Sequence, residues 1–385
     1  LMNQPSPPRL TVATLAPIKE QHRGEHEGIT YYCIPGGHAH RGTRAPKANK
    51  DLWKKVIEQI HPDVIHIWGS EFTDGLDLLE NIKETPTLLT IQGVIAAIAR
   101  YPNGGLSLKE LRAAQPFGKK WIVEKYRRDA QRICAQMPYE QQLTRRVQGI
   151  ILDSEWSQSI YHCIAPDTKI YRQQMPLNDI FQKYTWSLKT CTPHTIFCNA
   201  GRTPYKGIHM AVRALAIIRR QYPDVKLRIP GAINFKKLDS LRTPPYFRYL
   251  YRLAQQLGVV DCIEFPGVLA PEQMAQEMVR AQVFIMPSAI ENQSSTLREA
   301  MMVGTPSVSA NVGCIQEYLH HGENGYLYRY EEYELLAGYV MRLFDNTTLA
   351  ERFSAKARHT ICAMYVHETP GKELLEIYRN VVGES

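Results

Sequence analysis

Two loop segments of this 385-residue chain hold the side chains best suited to chemistry. The first is Ala200-Gly201-Arg202-Thr203-Pro204-Tyr205-Lys206-Gly207. Arginine supplies a planar fork of donors and lysine a compact charge, the two usual ways of holding phosphate oxygens. Gly201 and Gly207 let the backbone approach a ligand closely. The second segment, 287–301, reads PSAIENQSSTLREAM. Ser294 or Ser295 suits a helix N-cap, and the residues from Leu297 onward read as helix. A helix start at Ser294, Ser295, Thr296 and Leu297 offers unpaired N–H groups and a positive dipole end, which suit an anion. Glu291 lies in the loop before it, and Glu299 about one turn into the helix. Carboxylates accept several hydrogen bonds and so suit vicinal hydroxyls. Together the two loops make an anion clamp flanked by two carboxylates. That combination matches a nucleoside diphosphate sugar, with its charged diphosphate and hydroxyl-rich ends.

The elements that must position these groups alternate. Runs at 10–13, 29–34, 64–68, 87–91, 149–153, 195–199, 226–229, 262–265, 282–286 and 306–309 read as strands bounded by turn residues. Most are apolar throughout, as strands buried on both faces are. Ile208, Val212, Leu215 and Ile218 recur at helical spacing, as do Met274, Met278 and Ala281. This alternation predicts βαβ units, parallel sheets and an α/β fold. Ligands of such sheets bind at the carboxyl ends of strands. Arg202 and Lys206 follow one strand there, and Glu291 follows another. A composition shift at 186–193 divides the chain into domains 1–187 and 190–368. A last helix within 370–385 is free to fold back on either. Tyr31, Tyr32 and Trp68 read as core. His66, at a strand end, is either a structural histidine or one facing an acceptor. Glu71 is a candidate acceptor-side carboxylate.

Net charge is +8, with 44% hydrophobic and 22% charged residues, a globular composition. The longest mainly apolar run, 88–99, is too short for a membrane span, which needs about 20 residues. The start of the sequence shows no signal-peptide pattern. The eight cysteines form no C-x-x-C pair, so metal fingers are not expected and a reducing compartment fits. No G-x-G-x-x-G follows a strand, which argues against a dinucleotide-dependent dehydrogenase. No D-x-D occurs that would hold a divalent ion. Segment 106–146 reads as long helix or helical hairpin and carries ten Lys/Arg against four acids. It is either a solvated helix face or a surface for anionic lipid headgroups or an anionic acceptor. It lacks the aromatic interleaving of a single-strand nucleic-acid site, so nucleic acid is not an expected partner.

The motif set resembles glycosyltransferase family 4, a retaining family of GT-B fold. It comprises G-R-x-x-x-K-G, then E-x7-E-A-M, Gly304-Thr305-Pro306 and Gly322-Glu323-Asn324-Gly325-Tyr326-Leu327. The first block resembles the family at His61-Pro62-Asp63-Val64-Ile65-His66-Ile67-Trp68-Gly69 and at Thr90-Ile91-Gln92-Gly93. The resemblance implies two Rossmann-like domains facing each other across a cleft. It implies a metal-independent hexosyltransferase that uses no cofactor and takes a UDP- or GDP-linked sugar as co-substrate. Arg202 and Lys206 would hold the leaving diphosphate, Glu299 the ribose hydroxyls and Glu291 the transferred hexose. Amides at 294–297 would cradle phosphate and sugar, and Gly267 and Val268 would lie beside the base. The resemblance points to bacterial surface polysaccharide synthesis, and the basic segment 106–146 to a cytoplasmic, peripheral place at the inner membrane face with a glycan or lipid-linked acceptor. Three departures stand out. Gln92 replaces a frequent histidine; it can hydrogen-bond on the acceptor side but cannot act as a base. Glu291 is followed by Asn-Gln-Ser-Ser rather than Gly-Phe-Gly. Only about nine residues precede the strand at 10–13, so the first strand and Gly-rich loop of the N-terminal domain read as missing, with the run at 29–34 favouring that match; the alternative is that 10–13 is the family's first strand with a degenerate loop. A rival reading is a non-catalytic sugar-nucleotide-binding or partner protein derived from this fold.

Overall fold

The computed structural model describes residues 1–2, 6–36, 47–71, 74–82, 84–115, 123–198, 203–231, 235, 243–366 and 370–383. The chain forms two compact units. The first comprises Leu1–Arg100, Gln131–Met175 and Glu368–Ser385; the second comprises Tyr101–Ala130 and Pro176–His367.

In the first unit, β1 (Thr11–Ala16) is followed by β2 (His22–His26) and β3 (Ile29–Pro35). β1 pairs with β3 in parallel, and β2 folds back antiparallel on β3. The turn at Glu27 and Gly28 has φ angles of 51° and 75°, the twist a tight hairpin needs. A second sheet holds β4 (Ile65–Trp68), β5 (Thr87–Thr90), β6 (Gly149–Leu152) and β7 (Lys169–Arg172), all parallel and in chain order. Every residue of β5 and β6 is buried, so both faces are covered. The helix Pro370–Val382 covers one face. Its Leu374 and Ile377 pack with Leu88 and Ile151. Another cluster joins Leu15, Tyr32 and Ile34 to Trp53 and Val56 of the helix Lys47–Ile60.

The second unit is one parallel sheet. Its strands are β8 (Thr192–Cys198), β9 (Lys226–Arg228), β10 (Ile263–Glu264), β11 (Ala281–Met286), β12 (Ser307–Ala310) and β13 (Tyr326–Tyr328). Their order is β10-β9-β8-β11-β12-β13. From β8 the chain builds outward through β9 and β10, and from β11 it builds the other way. The order therefore reverses between β8 and β11, the point where open α/β sheets leave a crevice at the strand ends.

All ten expected strands form, with bounds shifted by a few residues, and three more join them. β2 is fully exposed and polar, so it carries no burial pattern, and its turn and β3 place it. β7 reads Lys-Ile-Tyr-Arg, an edge strand flanked by charges that blunt open pairing. β13 spans only three residues at the far edge of its sheet. Segment 106–146 is helical where described, as Leu108–Ala113 and Glu124–Arg146.

The compact units also differ from domains drawn at 187 and 190. Residues 101–130 and 176–187 go with the second unit. Gln115 Nε2 donates to the Pro245 carbonyl (3.1 Å) and Arg252 Nη1 to the Ala113 carbonyl (2.8 Å). Trp186 Nε1 donates to the Ala281 carbonyl (2.7 Å). The last helix belongs to the first unit. Trp68, expected in the core, is 51% exposed because it ends β4 at the sheet's carboxyl edge. Tyr32 is buried and Tyr31 half-buried.

Ile377→Ala leaves a cavity against Leu88 and Ile151 and is expected to destabilise the first unit by about 2–4 kcal/mol. Urea unfolding beside the wild type checks this.

Candidate functional site

β8 runs toward the loop expected to hold phosphate. Gly201 and Arg202 lie outside the described residues, and the description resumes at Thr203. A single 3-10 turn, Pro204–Lys206, then leads into the helix Ile208–Ile218. β11 ends at Met286, and its loop carries Glu291 toward the helix Ser295–Val303. Because β8 and β11 are neighbours, these loops lie side by side. Ala289 N–H donates to the Tyr205 carbonyl (2.7 Å). Gly207 is at φ 72°, and a Cβ there would lie 1.6 Å from the Pro287 carbonyl oxygen. Only glycine allows this approach, for both reasons.

The outcome is an ion pair at the switch point. Lys206 Nζ donates to Glu291 Oε1 at 2.6 Å. The side chains are 24% and 9% exposed. Burial pulls the ammonium toward neutrality, but the charge and hydrogen bond of Glu291 outweigh it and hold Lys206 above the usual lysine value.

Ser294 is the N-cap of the helix Ser295–Val303, in the left-handed region at φ 42°. A non-glycine residue there carries about 1–2 kcal/mol of strain. Its hydroxyl turns to Met286 Sδ (2.7 Å) and does not cap the helix. Ser295 is exposed and Thr296 half-buried at the helix start. Leu297 is fully buried, and its N–H donates to the Ser294 carbonyl (3.1 Å), so it is committed to the turn itself. Glu299 is half-buried, and burial raises its carboxyl to about 7 against the opposing pull of Arg298. Arg298 is buried and anchors the helix through Nη1 to the Tyr365 hydroxyl (2.9 Å).

Gly267 and Val268 lie beyond β10, farther along the same sheet edge. The Gly267 carbonyl accepts from Gly231 N–H (2.7 Å), which ties the loops after β9 and β10 together. Val268 is 78% exposed.

The first unit has its own group at the ends of β4 and β5. Glu71 Oε1 accepts from Gly93 N–H (2.9 Å), and the neighbouring Gln92 is exposed. His66 is set apart from them. Its Nδ1 lies 2.8 Å from the Tyr378 hydroxyl and its Nε2 2.6 Å from Thr90 Oγ1. Burial lowers it to about 4, so it is a neutral, structural histidine. Trp68 stacks on it, with ring centroids 5.0 Å apart.

One residue of this group escaped the sequence reading. Glu140 is 1% exposed. Its Oε1 accepts from Ser70 Oγ (2.7 Å), Tyr161 OH (2.9 Å) and Ile95 N–H (3.2 Å), and its Oε2 from Ala96 N–H (3.3 Å). Gln136 Nε2 donates to the Ser70 carbonyl (2.9 Å). Burial raises the Glu140 carboxyl despite these donors. The loops bearing Glu71 and Gln92 are thus tied to one buried carboxylate. The available signal was a pair of polar residues, Gln136 and Glu140, on the same helical stripe as Ile133, Leu143 and Val147.

Residues 183–360 match the family model of glycosyl transferases group 1. This segment is similar to that family. It contains the six strands and the Lys206–Glu291 pair. Curated relatives include the D-inositol 3-phosphate glycosyltransferase of Corynebacterium urealyticum, 28% identical over 180 residues, 46% of this chain and 40% of the relative. A GDP-mannose-dependent alpha-(1-6)-phosphatidylinositol monomannoside mannosyltransferase of Mycobacterium tuberculosis is 26% identical over 192 residues, 48% of this chain and 47% of that protein. The match thus spans less than half the length of these relatives. Among solved structures, sucrose-phosphate synthase from Thermosynechococcus elongatus superposes with a TM-score of 0.74 at 18% identity, covering 98% of this chain and 90% of that one. Anabaena HepE in complex with UDP and glucose gives 0.66 at 18%, covering 92% and 87%. At these identities the likeness is one of fold, and that fold is GT-B, with two Rossmann-like domains.

Removing one partner of a buried pair strands the other charge. Lys206→Met is expected to destabilise the second unit by about 2–4 kcal/mol, and adding Glu291→Gln to recover most of it. Denaturant unfolding of both variants measures the difference.

Proposed function

We propose that the chain is a retaining, metal-independent hexosyltransferase. It moves a sugar from a UDP- or GDP-linked donor to a hydroxyl of a glycan or lipid-linked acceptor, in bacterial surface polysaccharide synthesis. The observation that carries this reading is the Lys206–Glu291 pair at the point where the strand order reverses. Charge for a diphosphate and an acceptor for a hydroxyl sit there in direct contact, beside a helix start that its N-cap side chain leaves uncapped.

In the reaction the bond between the anomeric carbon and the β-phosphate oxygen breaks. The acceptor hydroxyl oxygen bonds the anomeric carbon on the same face, and its proton passes to the leaving diphosphate. Lys206 exchanges Glu291 for diphosphate oxygens, with Arg202 beside it, and stabilises the charge that grows on the leaving group. Glu291, released, accepts from the hexose. Glu299 takes the ribose hydroxyls, Ser294, Ser295 and Thr296 present backbone to phosphate and sugar, and Gly267 and Val268 border the base. In the first unit Glu71 and Gln92 are the acceptor-side groups, with His66 behind them holding the fold. The fold of the UDP- and glucose-bound Anabaena protein supports the donor class.

A peripheral place on the cytoplasmic membrane face is part of the proposal. Its support is the basic segment, where Lys109, Arg112, Arg127, Arg128, Arg132, Arg145 and Arg146 are all exposed. Among the described residues no helix is long and apolar enough to cross a membrane.

Calorimetry with UDP-, GDP- and ADP-sugars tests the donor reading. One of them is expected to bind, and Lys206→Ala or Arg202→Ala to weaken it about tenfold or more. NMR of the product should show the donor's anomeric configuration kept. Binding of none of the three, or an inverted product, contradicts the proposal. The Glu299 carboxyl near 7 adds a pH signature. Hydroxyls bond its charged form, so donor affinity should fall as pH drops from about 8 to about 6, and Glu299→Gln should flatten that fall.

A further inference from the structure

The loop that carries Lys206 is held from two sides. One side is the β11 loop, through Ala289 N–H on the Tyr205 carbonyl and Gly207 against Pro287. The other is a turn from far earlier in the chain. Residues 102–105 form a turn within the second unit. Gly104 there is at φ 57°, and a Cβ on it would lie 2.3 Å from the Pro204 carbonyl oxygen and 3.0 Å from Tyr205 Cα. Backbone thus abuts backbone, with no flexible side chain between them.

The turn is locked in place through one carbonyl. The Gly104 oxygen accepts from Tyr330 OH (2.7 Å) and lies 3.1 Å from His209 Nε2. His209 is 0% exposed, and Tyr246 OH lies 2.9 Å from its Nδ1. Burial lowers this ring to about 4, so it is neutral. Hydrogen bonding then assigns the proton to Nε2, donating to Gly104, with Nδ1 accepting from Tyr246. Both lone pairs of the Gly104 oxygen are engaged. Tyr330 also lies against Gly207: a Cβ at 207 would be 3.2 Å from its Cε2. His209 and Tyr330 therefore link the turn, the start of the helix Ile208–Ile218 and the phosphate loop.

We infer that the turn at 102–105 is a backstop for the loop bearing Lys206, and that Gly104, His209 and Tyr330 are positioning residues for binding of the donor's diphosphate. The inference rests on the donor reading above. The turn keeps Lys206 from retreating when it exchanges Glu291 for phosphate oxygens. A charge-assisted bond weakens steeply with misplacement, so a loosened backstop shows first in diphosphate affinity.

Four variants test this: Gly104→Ala, His209→Phe, His209→Gln and Tyr330→Phe. Their affinities for UDP, GDP and ADP are measured by calorimetry, with melting temperature and amide exchange over 203–208 in parallel. Gly104→Ala and His209→Phe are expected to weaken the nucleotide that the wild type binds by about tenfold and to speed exchange of the loop. His209→Gln keeps an N–H for the Gly104 carbonyl and is expected to restore most of the affinity lost in His209→Phe. Tyr330→Phe, with one donor left on that carbonyl, falls between. If Gly104→Ala fails to fold, the two His209 variants decide. Affinities within twofold of wild type in His209→Phe and in folded Gly104→Ala overturn the inference, as does equal loss in His209→Gln and His209→Phe. Should the wild type bind none of the three nucleotides, the donor reading fails instead. Loop exchange then judges the backstop alone, and rates unchanged in Gly104→Ala and His209→Phe overturn it.

Discussion

A lysine and a glutamate 85 positions apart are pressed into contact because two parallel strands with adjacent carboxyl ends must share one edge. The remaining features of the second unit follow from that closeness. Gly207 is required because the β11 loop passes where a side chain would stand. Lys206 is paired, because a mostly buried ammonium beside a buried carboxylate has little water to replace the partner. Such a pair is weak evidence for stability, since hydrophobic residues of like volume often do as well. In the proposed donor site its members are available for exchange. Ser294, strained at φ 42° with its hydroxyl turned inward, fits the same view of a helix end shaped for something other than its own capping.

The first unit solves a similar problem with a different device. Its loops after β4 and β5 also lie at carboxyl ends, and among the described residues they are held without a cation. Glu140 gathers them instead, accepting from one hydroxyl and two backbone amides of the segments involved and from the Tyr161 hydroxyl. Four donors at one buried carboxyl keep its environment polar inside an apolar interior, and Glu71 takes the Gly93 amide. Each unit therefore fixes its loops through a carboxylate. In the second it faces a lysine, and in the first it faces neutral donors.

Much of this was legible beforehand. Buried parallel strands have a strong signal, because burial on both faces forces long apolar runs, and all ten expected strands form. Three strands were invisible: β2 is wholly exposed, β7 is charged at both ends and β13, though mostly buried, is only three residues long. The helix start after Glu291 was placed within two residues, while the role of its cap was not, since a serine at an N-cap position need not cap. Trp68 was misjudged because strand composition does not say where a covering helix stops.

The sequence alone determined the fold class, the two blocks and the pairing of a basic loop with an acidic one, because those properties reside in local composition and spacing. Tertiary structure decided the rest. It sent 101–130 to the second unit through the Gln115–Pro245 and Arg252–Ala113 bonds, and the last helix to the first through Leu374 and Ile377. It turned His66 into a neutral structural residue between Tyr378 and Thr90. It raised Glu299 and made Glu140 a shared anchor. Each of these is a statement about which groups lose water and which partners replace it. That depends on contacts between residues tens to hundreds of positions apart, which no local pattern records.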